Sequence, residues 1–167
     1  MSSAVGSLEH AVYERFMALP MPDSKVQAEY IWVGGDGDDL RCKSRTLRES
    51  PKSVDDLPVW NFDGSSTKQA PGHDSEILLK PVSYVPDPFR GVPNILVLCE
   101  CVKPDGSPAT ANTRTAAKEI FDKALELEPW YGLEQEYTLF NADRRTPLGW
   151  PIGGYPAPQG PYYCGVG

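Results

Sequence analysis

Apolar and polar positions follow different periods along the chain, and each period predicts an element. Leu8, Ala11, Val12, Phe16 and Leu19 recur at helical spacing behind Ser7, a good N-cap, and Pro20 ends the run. Val26 to Val33 is rich in β-branched and aromatic residues and predicts a strand. Gly34-Gly-Asp-Gly-Asp-Asp39 turns the chain into a second strand over Leu40 to Leu47, so the pair predicts a hairpin. Ser50 to Pro58 is a polar connection, and Val59-Trp-Asn-Phe leads into a loop, Asp63-Gly-Ser-Ser. Glu76 to Leu79 and Asn94 to Val102 predict further strands, the second a near-continuous apolar run suited to the middle of a sheet. Lys103-Pro-Asp-Gly-Ser-Pro108 gathers turn residues and marks a boundary. Beyond it, Asn112 or Thr113 caps a helix to about Leu127, with Ala116, Ala117, Ile120, Phe121, Ala124 and Leu125 on its apolar side and Pro129 as its stop.

The next run, Gly132 to Phe140, reads as a strand, which turns at Asn141 to Arg145. Side chains alternate between the two faces of a strand, so Glu134 and Glu136 share one side, with Cα atoms roughly 6 to 7 Å apart. Two carboxylates so placed suit hard cations such as magnesium or manganese. The same spacing also describes the wet face of a half-buried sheet. Asp63-Gly-Ser-Ser is likewise open to two readings, a functional carboxylate and hydroxyl or an ordinary Asx turn. From Pro147 onward glycine and proline dominate, which fits an exposed linker, yet Trp150, Tyr155, Tyr162 and Tyr163 argue for an ordered loop lying on something.

Composition narrows the classes. A chain of 167 residues, 40% hydrophobic and 23% charged, is globular and long enough for one core or for a small domain plus part of another. Its net charge of -7 and scattered basic residues argue against nucleic acid as a partner. No run approaches the ~20 apolar residues of a bilayer span, and the first residues lack the pattern of a secretory signal, so a cytoplasmic protein without membrane contact is expected. Cys42, Cys99, Cys101 and Cys164 form no Cys-x-x-Cys pair, which argues against structural zinc. Cys99 and Cys101 fall on one side of an apolar strand, where free cysteine packs as a small hydrophobe. With only His10 and His73, no His-Glu-x-x-His motif can be drawn. The acidic turn at Gly34 to Asp39 lacks the spacing of an EF-hand and reads as solvated.

Three separated motifs, Trp60-Asn-Phe-Asp-Gly-Ser-Ser-Thr67, Gly132-Leu-Glu-Gln-Glu-Tyr-Thr-Leu139 and Pro158-Gln-Gly-Pro-Tyr-Tyr-Cys-Gly-Val-Gly167, occur in an order that resembles glutamine synthetase of the eukaryotic type, from about Lys25 to the last residue. The resemblance implies an α+β fold: a helix and linker over 1–24, a β-grasp-like domain over 25–103, and the first, incomplete part of an α+β catalytic domain over 104–167. The N-terminal helix would pack on a neighbouring subunit or on its own domain. The implied reaction joins ammonia to glutamate with ATP and Mg2+ or Mn2+, through a γ-glutamyl phosphate. Glu134 and Glu136 match two metal ligands, Glu134 and Trp130 also bordering the nucleotide, although Trp130 reads equally as a core or surface residue. Asp63, Ser66 and Tyr162 match an ammonium pocket, the first two reaching into a neighbour's site. That sharing implies a ring-like homo-oligomer, a decamer of two stacked five-membered rings in the family.

In the family the remaining metal ligands and the substrate-binding arginines lie downstream of the residue matching Gly167. The chain by itself is therefore expected to be inactive, as the N-terminal part of the ligase. Two other readings stay open: a noncatalytic, shortened subunit that joins rings of the full enzyme, and a related ligase that accepts another amine.

Overall fold

The computed structural model describes residues 10–20 and 22–149. Contacts within the chain group Ala11–Pro129 as one unit and place the remainder, from Trp130 onward and through His10, in another. The larger unit carries all of α1 (His10–Met17) but its first residue, and β1 (Val26–Val33), β2 (Leu40–Leu47), β3 (Trp60–Asp63), β4 (Glu76–Pro86), β5 (Ile95–Val102) and α2 (Arg114–Lys123). Ser7 and Leu8, with which the first helix was expected to begin, lie outside the described residues.

The five strands form one mixed sheet in the order β2-β1-β5-β4-β3. β1 runs parallel to β5, and the other pairs are antiparallel. The apolar run expected at the middle of a sheet is indeed the central strand. On one face of the sheet Val26, Ala28, Tyr30 and Trp32 of β1, Ile77 and Leu79 of β4, and Ile95, Val97 and Cys101 of β5 are buried together with Leu57 and Ala109. The other face is only partly covered, Leu98 remaining 47% exposed.

The sheet curls so that β1 meets the far edge. Trp32 packs on Phe62 with ring centroids 4.7 Å apart, and Tyr30 meets Trp60 edge-on at 5.6 Å. The Tyr30 hydroxyl, carried inside with its ring, donates to the Pro58 carbonyl at 2.7 Å. Lys43 of β2 completes the closure. Its ammonium lies 3.6 Å from the Trp60 ring centroid and donates to the Asn61 carbonyl at 2.5 Å. Partial burial, then the charge of Arg45, hold the Lys43 pKa below its ordinary value.

Three elements differ from the sequence reading, each for a physical reason. β4 was expected to stop at Leu79, ahead of Pro81, but a register shift between Pro81 and Ser83 lets it continue to Pro86 along β5. β3, expected only as the lead into the Asp63 loop, is a four-residue strand held by pairing with β4, Trp60 opposite Leu79 and Asp63 opposite Glu76. α2 ends at Lys123 and passes into a single 3-10 turn over Leu125–Leu127. Thr113 holds the N-cap position without a side-chain bond, and the capping bond comes from Asn112, whose Oδ1 accepts the Thr115 amide at 3.2 Å while Nδ2 donates to the Cys101 carbonyl at 2.7 Å. No residue of α2 is buried, so the apolar side expected of it stays open, Ile120 being 67% exposed.

The strand expected over Gly132–Phe140 does not form. Residues 130–138 have no ladder partner, and pairing begins only around the turn expected at Asn141, where the Leu139 carbonyl accepts the Leu148 amide at 2.8 Å and Phe140 forms an isolated bridge with Pro147. A strand is stable only where a neighbour takes up its N–H and C=O groups, and no described segment does so ahead of Leu139.

The core thiols give a direct pH test. Burial raises the Cys99 thiol to about 12 and the Cys101 thiol to about 11 from an ordinary 9.0. Below pH 9 the folded and unfolded chains both keep these protons. Above it the unfolded chain loses them first, so folding stability declines as pH rises toward those values. Urea midpoints measured between pH 8 and 10.5 are expected to fall in the wild type and to fall less in Cys99→Ala. Parallel curves would contradict thiol burial.

Candidate functional site

The carboxylate of Asp63 stands at the end of β3, where the chain leaves the sheet and winds into a 3-10 turn over Gly64–Thr67. Asp63 caps that turn. Its Oδ1 accepts the Ser65 hydroxyl at 2.6 Å and the Ser65 amide at 2.9 Å, so the Asx turn foreseen for this motif is formed. These donors, the hydroxyl foremost, hold the Asp63 carboxyl below the usual carboxylate range although it is exposed. Ser66 lies on the same turn, also exposed, and its hydroxyl donates to the Asp63 carbonyl at 3.4 Å. An anion and a hydroxyl thus sit together at the surface.

Beneath them the turn is fixed from several sides. The Gly64 amide donates to the Ser75 carbonyl, and the Gly64 carbonyl accepts the Thr67 hydroxyl at 3.1 Å and the Gln69 amide at 2.9 Å. A Cβ at Gly64 would lie 2.5 Å from Cγ1 of Ile77, so glycine is required for the turn to rest on the core. Lys68 closes the turn at φ 60, a left-handed conformation that costs a side-chain-bearing residue about 1–2 kcal/mol and needs outside support. That support comes from the β1–β2 turn, which no sequence motif linked to Asp63. The Gly35 amide donates to the Thr67 carbonyl at 2.9 Å, Lys68 pairs with Asp36 at 2.8 Å, and buried Gln69 donates to the Val33 carbonyl at 3.2 Å.

Glu134 and Glu136 fall on the exposed stretch without a ladder partner, beside an indole, Trp130, that is 94% exposed. Their carboxylate oxygens have the chemistry of a hard-cation site, but among the described residues no group of three or more His, Cys, Asp or Glu could hold a metal ion. Each would be one ligand of a larger set. Tyr162 lies outside the described residues, so of the expected ammonium pocket the structure brings together Asp63 and Ser66 only.

Comparison with known proteins agrees with this geometry. Residues 12–104, which hold the sheet and the Asp63 turn, match the family described as the glutamine synthetase β-grasp domain. The chain belongs to the glutamine synthetase family. It is 53% identical over 98% of its length to a cytosolic isozyme from Chlamydomonas reinhardtii, and 56% identical over 91% to a glutamine synthetase from Agaricus bisporus. A chloroplastic leaf isozyme from Hordeum vulgare is 57% identical over 98% of the chain. The chain spans less than half of each, 46%, 42% and 39% respectively. The β-grasp fold, and the α+β class, are those expected from the sequence. Relatives bear both cytosolic and chloroplastic names, and among the described residues no helix is long and apolar enough to cross a membrane.

Proposed function

We propose that the chain supplies the ammonium-handling loop and two metal-ligating carboxylates of an ATP-dependent glutamate ammonia ligase, and that it works cytoplasmically within a ring of like subunits. The observation that carries this reading is the exposed Asp63–Ser66 turn, rigidly mounted on the β-grasp sheet of a glutamine synthetase family member.

Ammonia near neutral pH is mostly the cation, which has no lone pair with which to attack. A carboxylate held charged by two Ser65 donors binds that cation, and the Ser66 hydroxyl offers a further acceptor. Asp63 takes a proton from the bound ammonium. The freed lone pair of ammonia forms the C–N bond at the acyl carbon of γ-glutamyl phosphate, and the C–O bond to phosphate breaks with its electron pair leaving on phosphate. The surplus proton on nitrogen passes to the departing phosphate to leave the neutral amide. A lowered carboxyl pKa makes Asp63 a firm cation holder and a weak base, so the proton moves only as ammonia is drawn into the attack. Tyr162 completes the pocket in this reading, and Trp130 borders the nucleotide. Glu134 and Glu136, with further ligands from outside the described residues, would hold Mg2+ or Mn2+, which when bound would supply charge stabilisation at the phosphoryl oxygens. In this reading the chain divides by function into 1–24, 25–103 and 104–167, the last segment contributing to the catalytic domain.

The test is a chimera in which residues 1–167 replace the matching segment of the Agaricus bisporus relative. It is expected to form glutamine from glutamate, ammonium and ATP, whereas the 167-residue chain alone is not. Glu134→Ala and Glu136→Ala in the chimera should each weaken manganese binding by about tenfold or more in a calorimetric titration. Unchanged titrations would remove both residues from the ligand set.

A further inference from the structure

The acidic turn between β1 and β2 has no part in the reading above, yet Thr67, Lys68 and Gln69 each bond to this turn or to the strand end beside it, some thirty residues away along the chain. We propose that this turn is a positioning latch for the Asp63–Ser66 loop, with Gly35 as its principal residue. The proposal rests on the reading of Asp63 and Ser66 as ammonium-handling groups for its functional consequence, but not for its structural content.

Three features make the case. First, Gly35 approaches the loop more closely than any other residue type could. A Cβ there would lie 2.4 Å from the Thr67 carbonyl oxygen and 2.6 Å from that of Lys68, both backbone atoms that cannot swing aside as a side-chain tip can. Second, the contact is bonded as well as close, the Gly35 amide donating to Thr67 and the buried Gln69 amide group to Val33. Third, the Asp36 carboxylate receives the Lys68 ammonium through both oxygens, at 2.9 and 2.8 Å. Lys68 is the residue in the left-handed conformation that ends the loop, so the latch grips the turn at its strained point.

Magnitudes rank the parts. The Asp36–Lys68 pair is largely exposed, with side chains 54% and 71% accessible, and exposed pairs contribute little. The backbone contact at Gly35 is sheltered and sterically exclusive, so it dominates. The turn itself holds its shape through the Gly34 amide, which donates to the Asp39 carbonyl at 2.9 Å, and through Arg41, whose guanidinium pairs with Asp39 at 2.8 Å.

Two sets of measurements test the latch. In the 167-residue chain, Gly35→Ala is expected to speed amide hydrogen exchange at Ser65 by about tenfold or more and to move the Asp63 carboxyl titration, followed by NMR, up toward the ordinary range. Asp36→Lys should do the same more weakly, and adding Lys68→Asp should restore the wild-type values, a rescue that a purely structural fault would not show. In the chimera, Gly35→Ala should raise KM for ammonium by about tenfold while glutamate phosphorylation stays within about twofold. Unchanged Ser65 exchange and Asp63 titration in both Gly35→Ala and Asp36→Lys would overturn the latch. A loosened loop with unaltered ammonium kinetics would support the latch and refute the ammonium role of Asp63, so the two ideas fail separately.

Discussion

Replacing Asp63 by alanine in the chimera is expected to slow glutamine release by about 10²–10⁴-fold, the range for losing a positioned acid–base group, with glutamate phosphorylation kept within about twofold. The asymmetry follows from where the residue stands. Asp63 is exposed, bonded only within its own turn and to neighbours of that turn, and carried by a strand that pairs on one side with β4. Its removal takes away an anion without opening the core. A burst of phosphate with no matching glutamine would distinguish loss of the amine step from a general failure. Equal loss of both half-reactions would mean that Asp63 supports the fold or the nucleotide site instead.

The second large effect is on stability. Leu79 is fully buried at the middle of β4, between Trp60 on one neighbouring strand and Cys101 on the other. Leu79→Ala deletes buried methyl groups from a core that cannot fully collapse, and is expected to cost about 2–5 kcal/mol in urea unfolding of the 167-residue chain. Leu98→Ala provides the contrast, since Leu98 sits on the open face of the central strand at 47% exposure. Its cost should stay under about 1 kcal/mol. Similar losses at both positions would contradict the one-sided core.

How much of this was readable in the sequence depended on whether an element makes its own case. β1 and β2 could be bounded because alternation and the glycine-rich turn are local, and the central position of β5 followed from its apolar run. β3 was not readable, for Trp60-Asn-Phe-Asp63 becomes a strand only by pairing with β4. The end of β4 was missed since proline ordinarily breaks a ladder, and only tertiary pairing shows that the register shifts past Pro81. The segment over Gly132–Phe140 failed in the opposite sense: its alternation is clear, but alternation supplies no partner. Within the candidate site, Asp63 and Ser66 stood out by motif. Gly35, Asp36 and Gln69 did not, because the signal that joins them to Asp63 is a contact across about thirty residues of chain, and the acidic turn read by itself is merely solvated.

The most direct test of the shared site is complementation between two inactive chimeras, one carrying Asp63→Ala and the other Glu134→Ala together with Glu136→Ala. If Asp63 serves a neighbour's site while Glu134 and Glu136 serve their own, subunits dissociated and reassembled at equal ratio should recover glutamine formation, in about a quarter of the sites by random pairing. Mixed assemblies that form and yet remain as inactive as either parent would contradict the placement of these residues on opposite sides of a subunit boundary.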